Sequence, residues 1–205
     1  MTIIQTNKPL RPRAQHDVYP TPEKLARRAV ELVFDPNIPS RRGQAIRVLD
    51  PGAGSGVWGE AVLSVASDFG NRHIELTGVE VRPILKRPNY QYWHTMDFRA
   101  FDPPSRYDLV VGNPPYKYAE EFVRAGLEVL ESDGAMIYLL RLAFLEGQAR
   151  ARGLWKTHRP DKVYVLGRRP SFTGNGRTDA TAYALYVWYA HLGAGSTTEL
   201  HWLNW

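Results

Sequence analysis

Asn113-Pro114-Pro115-Tyr116 ends the apolar run Tyr107-Asp108-Leu109-Val110-Val111-Gly112. A side-chain amide, two prolines and an aromatic ring at a strand's end make a stiff, flat slot with a polar lip. Asn113 offers its side-chain oxygen to an N–H, and the Pro114 carbonyl is free to accept a second one. Proline fixes φ and carries no N–H, so this accepting geometry is rigid. Tyr116 supplies a face on which a planar group stacks. Together they suit a planar nitrogen nucleophile, such as the amino group of adenine or a carboxamide. An ordinary Asn-Pro-Pro turn beside a surface tyrosine has the same four residues, so their surroundings must decide.

A second constellation lies upstream. Val48-Leu49-Asp50-Pro51-Gly52-Ala53-Gly54-Ser55-Gly56 joins an apolar run to a helical one. Glycines let the backbone turn sharply and let a ligand approach its N–H groups at the positive end of the following helix. The spacing is G-x-G-x-G, not the G-x-G-x-x-G of nicotinamide-binding loops. No Gly-Lys-Ser/Thr follows, so it is not a phosphate-binding P-loop. Glu80, 24 residues beyond Gly56, ends the next apolar run, where a carboxylate can bind both hydroxyls of a ribose. A solvated strand-end charge is the plainer alternative.

The elements that must position these groups alternate. Thr21-Pro22-Glu23 reads as a helix start with Thr21 as N-cap and Pro22 at the first helical position. Leu25, Ala29, Leu32 and Val33 fall on one helical face. Strands are expected at 45–49, 74–79, 90–94, 107–112, 135–140, 162–166 and 181–189. Helices are expected near 58–69, 119–130 and 144–155, and a turn at Ser132-Asp133-Gly134. This pattern predicts a single-domain, Rossmann-like α/β fold. Its sheet has seven strands, mostly parallel, with an antiparallel C-terminal hairpin and helices on both faces. Residues 1–18 read as a loose basic arm and 19–205 as one domain. His201-Trp202-Leu203-Asn204-Trp205 alternates enough for an edge strand or a contact surface, its two tryptophans serving as core cover.

Composition narrows the classes. The chain has 205 residues, no cysteine and a formal charge of +5. Disulfides, thiolate metal sites and a cysteine nucleophile are excluded. The six histidines are scattered without an i, i+4 pair, so no metal site is expected. No apolar stretch is long enough to span a membrane and no signal-peptide core opens the chain, so a cytoplasmic location is the expectation. Arg150, Arg152, Lys156, Arg159, Lys162, Arg168, Arg169 and Arg177 crowd one late segment, interleaved with Trp155, Tyr164 and Phe172. Basic residues alternating with aromatics fit a nucleic-acid groove better than a solvated helix face does.

Asp50-Pro51-Gly52-Ala53-Gly54-Ser55-Gly56, then Glu80, Asp97 and Asn113-Pro114-Pro115-Tyr116, resembles the S-adenosylmethionine-dependent amino-methyltransferases, especially the DNA adenine-N6 group. The resemblance covers roughly residues 15 to 190. It implies S-adenosyl-L-methionine as cofactor and DNA, in double-stranded form, as partner. It implies that Asp50, Gly52, Ala53, Gly54 and Gly56 form the cofactor loop, with the glycines near the methionine part. Glu80 would bind the ribose hydroxyls, and Asp97 with Phe98 would lie near the cofactor's adenine. Tyr19-Pro20-Thr21-Pro22 resembles the segment that closes over the methionine end, with Tyr19 and Thr21 in contact; Asn113 would touch cofactor as well as substrate.

By the same resemblance Asn113, Pro114, Pro115 and Tyr116 would be catalytic, and a target base would leave the duplex to stack on Tyr116. Phe172, in Arg168-Arg169-Pro170-Ser171-Phe172-Thr173-Gly174, is the candidate second aromatic wall; a core position capping the sheet is the alternative. Lys117, Arg168, Arg169 and Arg177 would hold the substrate. About 90 residues follow Tyr116, which leaves no room for the separate target-recognition domain usual in sequence-specific enzymes. Compact enzymes of phages and prophages resemble this chain, which implies a bacterial or phage-infected host. RNA adenine methylation and glutamine-amide methylation of a protein remain open. So does a non-catalytic nucleic-acid-binding module that retains the fold, whereas a dehydrogenase is disfavoured by the glycine spacing. Oligomeric state has no signature in the sequence.

Overall fold

The computed structural model describes residues 19–34, 45–70, 73–84, 87–172, 180–190 and 197–205. The predicted arm 1–18 and Arg177 lie outside these residues. The strands are β1 (Ile46–Pro51), β2 (Ile74–Glu80), β3 (Tyr92–Thr95), β4 (Tyr107–Gly112), β5 (Leu130–Arg141), β6 (Lys162–Leu166), β7 (Tyr183–Tyr189) and β8 (Glu199–Leu203). They form one sheet in the order β3-β2-β1-β4-β5-β7-β6-β8. The five strands from β3 to β5 in this order are parallel; β7 is antiparallel to both β5 and β6, and β8 is parallel to β6. β1 lies centrally, and the chain winds to one side through β2 and β3 and to the other through β4 and β5. This reversal leaves a crevice beyond the carboxyl ends of β1 and β4, where open α/β sheets bind ligands.

The central strands are apolar on both faces because both are covered. Along β5, Ala135, Ile137 and Leu139 enter one core while Met136, Tyr138 and Leu140 enter the other. Helices α1 (Glu23–Val33) and α2 (Val57–Asp68) cover the first face, through Leu25, Ala29 and Val30 of α1 and Trp58, Val62 and Val65 of α2. Helix α3 (Ala119–Glu128) covers the second with Phe122 and Val123. Continuous Val/Ile/Leu runs are the pattern expected of doubly covered parallel strands.

Four local expectations are corrected. Thr21 does not cap α1: Pro22 holds that position, and the Thr21 hydroxyl instead accepts from the Trp58 indole at 3.2 Å. The Ser132-Asp133-Gly134 turn is an excursion inside β5, where the pairing jumps from Tyr107↔Leu130 to Leu109↔Ala135. The single helix expected over 144–155 is a 3₁₀ turn (Leu142–Leu145) followed by two short helices, α4 (Gln148–Arg152) and α5 (Leu154–Thr157). Gly147, at φ +118°, and Gly153 separate the pieces. The sheet has eight strands, not seven, because the C-terminal residues do pair as an edge strand. Only Leu203 of β8 is buried, and Trp202 is 74% exposed, so this tryptophan does not cover the core. Trp205 is half-buried; its indole donates to the Arg168 carbonyl at 3.3 Å.

No helix among the described residues is long and apolar enough to cross a membrane.

Candidate active site

A cavity of about 960 Å³ opens at the crevice between β1 and β4. It lies at the upper end of the size range of small-molecule sites. One half is walled by the glycine loop and the end of β2, the other by the end of β4 and Tyr19, Pro20 and Thr21 ahead of α1.

The glycine loop rests on β2 through Gly52 N–H and Ala53 N–H, which donate to the Val79 carbonyl at 2.7 and 3.1 Å. Gly56 begins α2 in the left-handed region, φ +83°, and a Cβ there would lie 3.0 Å from Arg87 Cγ and 3.2 Å from Tyr90 Cε2. Both the backbone angle and the close packing demand glycine. Asp50 is buried behind the loop and does not line the cavity. Its Oδ2 accepts from the Tyr90 hydroxyl at 2.6 Å, and that hydroxyl accepts from Gly59 N–H at 3.1 Å. Burial pushes the Asp50 pKa up to about 7, against the lowering effect of the Tyr90 hydrogen bond. Asp50 therefore braces the loop through Tyr90. Gly56 shapes the loop from behind, while Gly52, Ala53 and Gly54 face the cavity.

Glu80 lines the cavity and is nearly saturated. Its Oε2 accepts from Gly54 N–H at 2.9 Å and from Arg82 Nη2 at 3.2 Å. Its Oε1 accepts from Arg82 N–H at 3.0 Å and Arg82 Nε at 2.8 Å. A carboxylate offers about four acceptor positions, so a ribose diol must displace part of the Arg82 guanidinium. Burial would raise the Glu80 pKa, but these bonds from Arg82 hold it below its ordinary value. Farther along, Asp97 accepts from Arg99 N–H at 2.9 Å, and the Arg99 guanidinium lowers its pKa. Phe98 is buried against Phe122, ring centroids 5.1 Å apart, and contributes a flat apolar floor.

The other half is built around Asn113. Its Nδ2 donates to the Tyr19 carbonyl at 2.9 Å and to the Thr21 hydroxyl at 3.2 Å. A carbonyl can only accept, so the amide orientation is assigned by this bond. Oδ1 is left buried with no hydrogen-bond partner. Pro115 and Tyr116 line the cavity beside it; Pro114 is buried behind them. The Tyr116 hydroxyl lies near Tyr183 and Asn113 without a well-formed hydrogen bond to either, and burial raises its pKa well above the usual value.

The ring that faces Tyr116 is Tyr19, stacked at 5.3 Å and 25°. Phe172, expected as the second wall, is 6% exposed and sits behind, edge-on to Tyr19 at 5.4 Å and to Tyr183 at 5.1 Å. It is core to this aromatic cluster and does not line the cavity, because Tyr19 stands between it and Tyr116. Lys117 is an exposed lining residue near the Tyr118 ring. Arg168 lies over the Trp205 ring at 4.2 Å and Arg169 is exposed; neither lines the cavity. The late basic segment is thus divided: Arg150 reaches the cavity, whereas Lys162 pairs with Glu199 at 3.7 Å across the sheet edge.

Sequence reasoning missed Tyr90, Arg82, Arg87 and Arg141, of which the last three line the cavity. Arg141 had a legible signal: a lone cation ending the apolar run 135–140, at the carboxyl end of a strand beside Asn113. Arg82 stands two residues from Glu80. Tyr90 had none, since its partner Asp50 is 40 residues away. Among the described residues no cluster of His, Asp and Glu could hold a metal ion.

No family model matches the chain, and no curated protein matches it. Solved structures do. A protein of Listeria monocytogenes assigned as a class I S-adenosylmethionine-dependent methyltransferase superposes with a TM-score of 0.66 at 16% identity, covering 92% of this chain and 66% of that one. The methyltransferase subunit of a type I restriction-modification system from Streptococcus thermophilus gives 0.67 at 16% identity, covering 91% and 47%. A Pyrococcus horikoshii protein assigned as an RNA methyltransferase gives 0.59 at 17% identity, covering 87% and 90%. The chain thus spans less than two thirds of the length of the first two. These likenesses show the fold: a Rossmann-like methyltransferase fold, here with an eighth strand.

Proposed function

We propose that this chain transfers a methyl group from S-adenosyl-L-methionine to the N6 amino group of adenine in DNA. The observation that carries the reading is the Asn113 amide. Its NH₂ is fixed by Tyr19 and Thr21, and its Oδ1 is a buried acceptor without a partner at the lip of the cavity. A buried, unsatisfied carbonyl oxygen costs roughly 1–3 kcal/mol, so its retention points to a ligand N–H.

The residues present fit the cofactor. Gly52 and Gly54 bring bare backbone to the cavity wall, Glu80 offers a carboxylate to ribose hydroxyls, and Asp97 with Phe98 offers a polar edge and an apolar face to an adenine ring. When bound, S-adenosylmethionine supplies an electrophilic methyl group on a sulfonium. Adenine's amino nitrogen is a poor nucleophile because its lone pair is delocalised into the ring. Asn113 Oδ1 would accept one of its N–H groups, draw the nitrogen toward tetrahedral geometry and stabilise the positive charge that develops on it. The Pro114 carbonyl, expected to accept the second, belongs to a buried residue that does not line the cavity and would need the turn to shift. The methylated nitrogen is acidic and loses its proton to water, so no strong base is required. Tyr116 would hold the extruded base by its ring face once Tyr19, stacked on that ring at 5.3 Å, moves aside.

The test is incubation of the purified protein with labelled S-adenosylmethionine and unmodified duplex DNA, single-stranded DNA, RNA or protein, followed by mass spectrometry of nucleosides and peptides. N6-methyladenine in DNA is expected. Label in RNA or in glutamine side chains, with none in DNA, overturns the DNA assignment.

A further inference from the structure

We propose that Arg141 binds a backbone phosphate of the target nucleotide, which makes this end of the cavity selective for a nucleic-acid strand over an uncharged amide. The inference rests on the reading above and deepens it. Arg141 ends β5, the strand beside β4, three residues beyond Tyr138, which pairs with Gly112. The topology therefore sets it at the level of the Asn113 turn, and its side chain lines the same cavity. Its guanidinium carbon lies 4.8 Å from the centre of the Tyr116 ring, and the guanidinium also interacts with Tyr183. Its Nε is buried and makes no hydrogen bond. A guanidinium presents five N–H donors in a planar fork matched to phosphate oxygens. Here one buried arm of that fork is left without an acceptor.

The charge at this position weighs against a glutamine-amide substrate. Methylation places positive charge on the acceptor nitrogen, and a fixed cation close by opposes it. The opposition is removed when the substrate carries its own anion to the guanidinium, as a phosphodiester does and a glutamine side chain does not. The two acidic side chains that line the cavity, Glu80 and Asp97, are held by Arg82 and Arg99. Lys117 and Arg150 line the same wall, which makes the acceptor end cationic as a whole.

The experiment measures DNA affinity of the full chain, with S-adenosylhomocysteine present, as a function of salt. The proteins are wild type, Arg141→Gln and Arg141→Lys. The oligonucleotides carry a neutral methylphosphonate at each phosphate flanking the target adenine in turn. Arg141→Gln is expected to weaken DNA binding about tenfold and to reduce the salt slope by roughly 0.9, the value of one duplex phosphate contact. Arg141→Lys retains the slope. One methylphosphonate weakens wild-type binding by a similar factor and has no further effect on Arg141→Gln, a coupling that a purely structural arginine cannot produce. An unchanged salt slope, or equal methylphosphonate losses in both proteins, overturns the inference while leaving DNA methylation standing. Loss of S-adenosylhomocysteine affinity with intact DNA binding assigns Arg141 to the cofactor's carboxylate and equally overturns it. A wild-type protein that methylates no nucleic acid overturns both readings.

Discussion

The two halves of the cavity differ in how fully their polar groups are satisfied. At the end of β2, Glu80 already accepts four hydrogen bonds and Asp97 is held by Arg99. At the ends of β4 and β5, Asn113 Oδ1, the Tyr116 hydroxyl and Arg141 Nε are buried without partners. Buried polar groups in folded proteins are overwhelmingly paired. Three orphans around one slot therefore point to where a ligand supplies the missing groups, whereas the carboxylates that line the other half are already held and must exchange a bond to admit a ligand. Asp50 Oδ1, behind the glycine loop, is also unpaired but does not line the cavity.

That contrast can be broken from the acceptor side first. Asn113→Ala is expected to lower the methyl-transfer rate by about 10²–10³-fold, the usual cost of removing one preorganised group at a developing charge. The affinity for S-adenosylhomocysteine, measured by calorimetry, should change little. Retained turnover with lost cofactor binding would move Asn113 to the other half. On the cofactor side, Arg82→Ala frees acceptor positions on Glu80. A partly exposed ion pair is worth up to ~1 kcal/mol, so cofactor affinity should rise by up to about fivefold. Weaker binding would show that Arg82 orients Glu80 instead of competing with the ribose.

A separate test concerns the brace behind the loop. Asp50 has a folded-state pKa raised to about 7, against roughly 3.9 in an unfolded chain. Between these values the folded chain binds more protons than the unfolded one, so this group makes stability fall as pH rises through that window and level off above it. Asp50→Asn keeps an acceptor for the Tyr90 hydroxyl but cannot titrate. Urea unfolding at about pH 5 and about pH 8 should therefore show a smaller stability difference for the variant than for the wild type. An equal difference would mean that Asp50 is ionised in the folded chain at both pH values.

Legibility followed the range of the interaction. The order of elements could be read because burial on both faces writes continuous apolar runs at 46–49, 107–112 and 135–140. Two departures came from local chemistry that tertiary packing overrode. Thr21 has every property of a helix cap, yet its hydroxyl is taken by Trp58 and Asn113. Ser132-Asp133-Gly134 has the composition of a turn, yet strand pairing resumes across it. The resemblance points to Phe172, in the loop before the last hairpin strand, as the aromatic partner of Tyr116. The structure gives the position to Tyr19, 97 residues earlier in the chain, and buries Phe172 behind it.

By itself the sequence determined the fold class and the two motifs that meet at the crevice. Periodicity and turn chemistry are local, and an alternating α/β pattern has few ways to close. Only the tertiary structure decided which motif residues face the cavity. It set Asp50 and Gly56 behind the loop, joined Arg82 to Glu80, turned the Asn113 amide so that its oxygen is free, and brought Arg141 beside Tyr116. Those outcomes depend on strand order and on hydrogen bonds between residues far apart in the chain, which no window of neighbouring residues records.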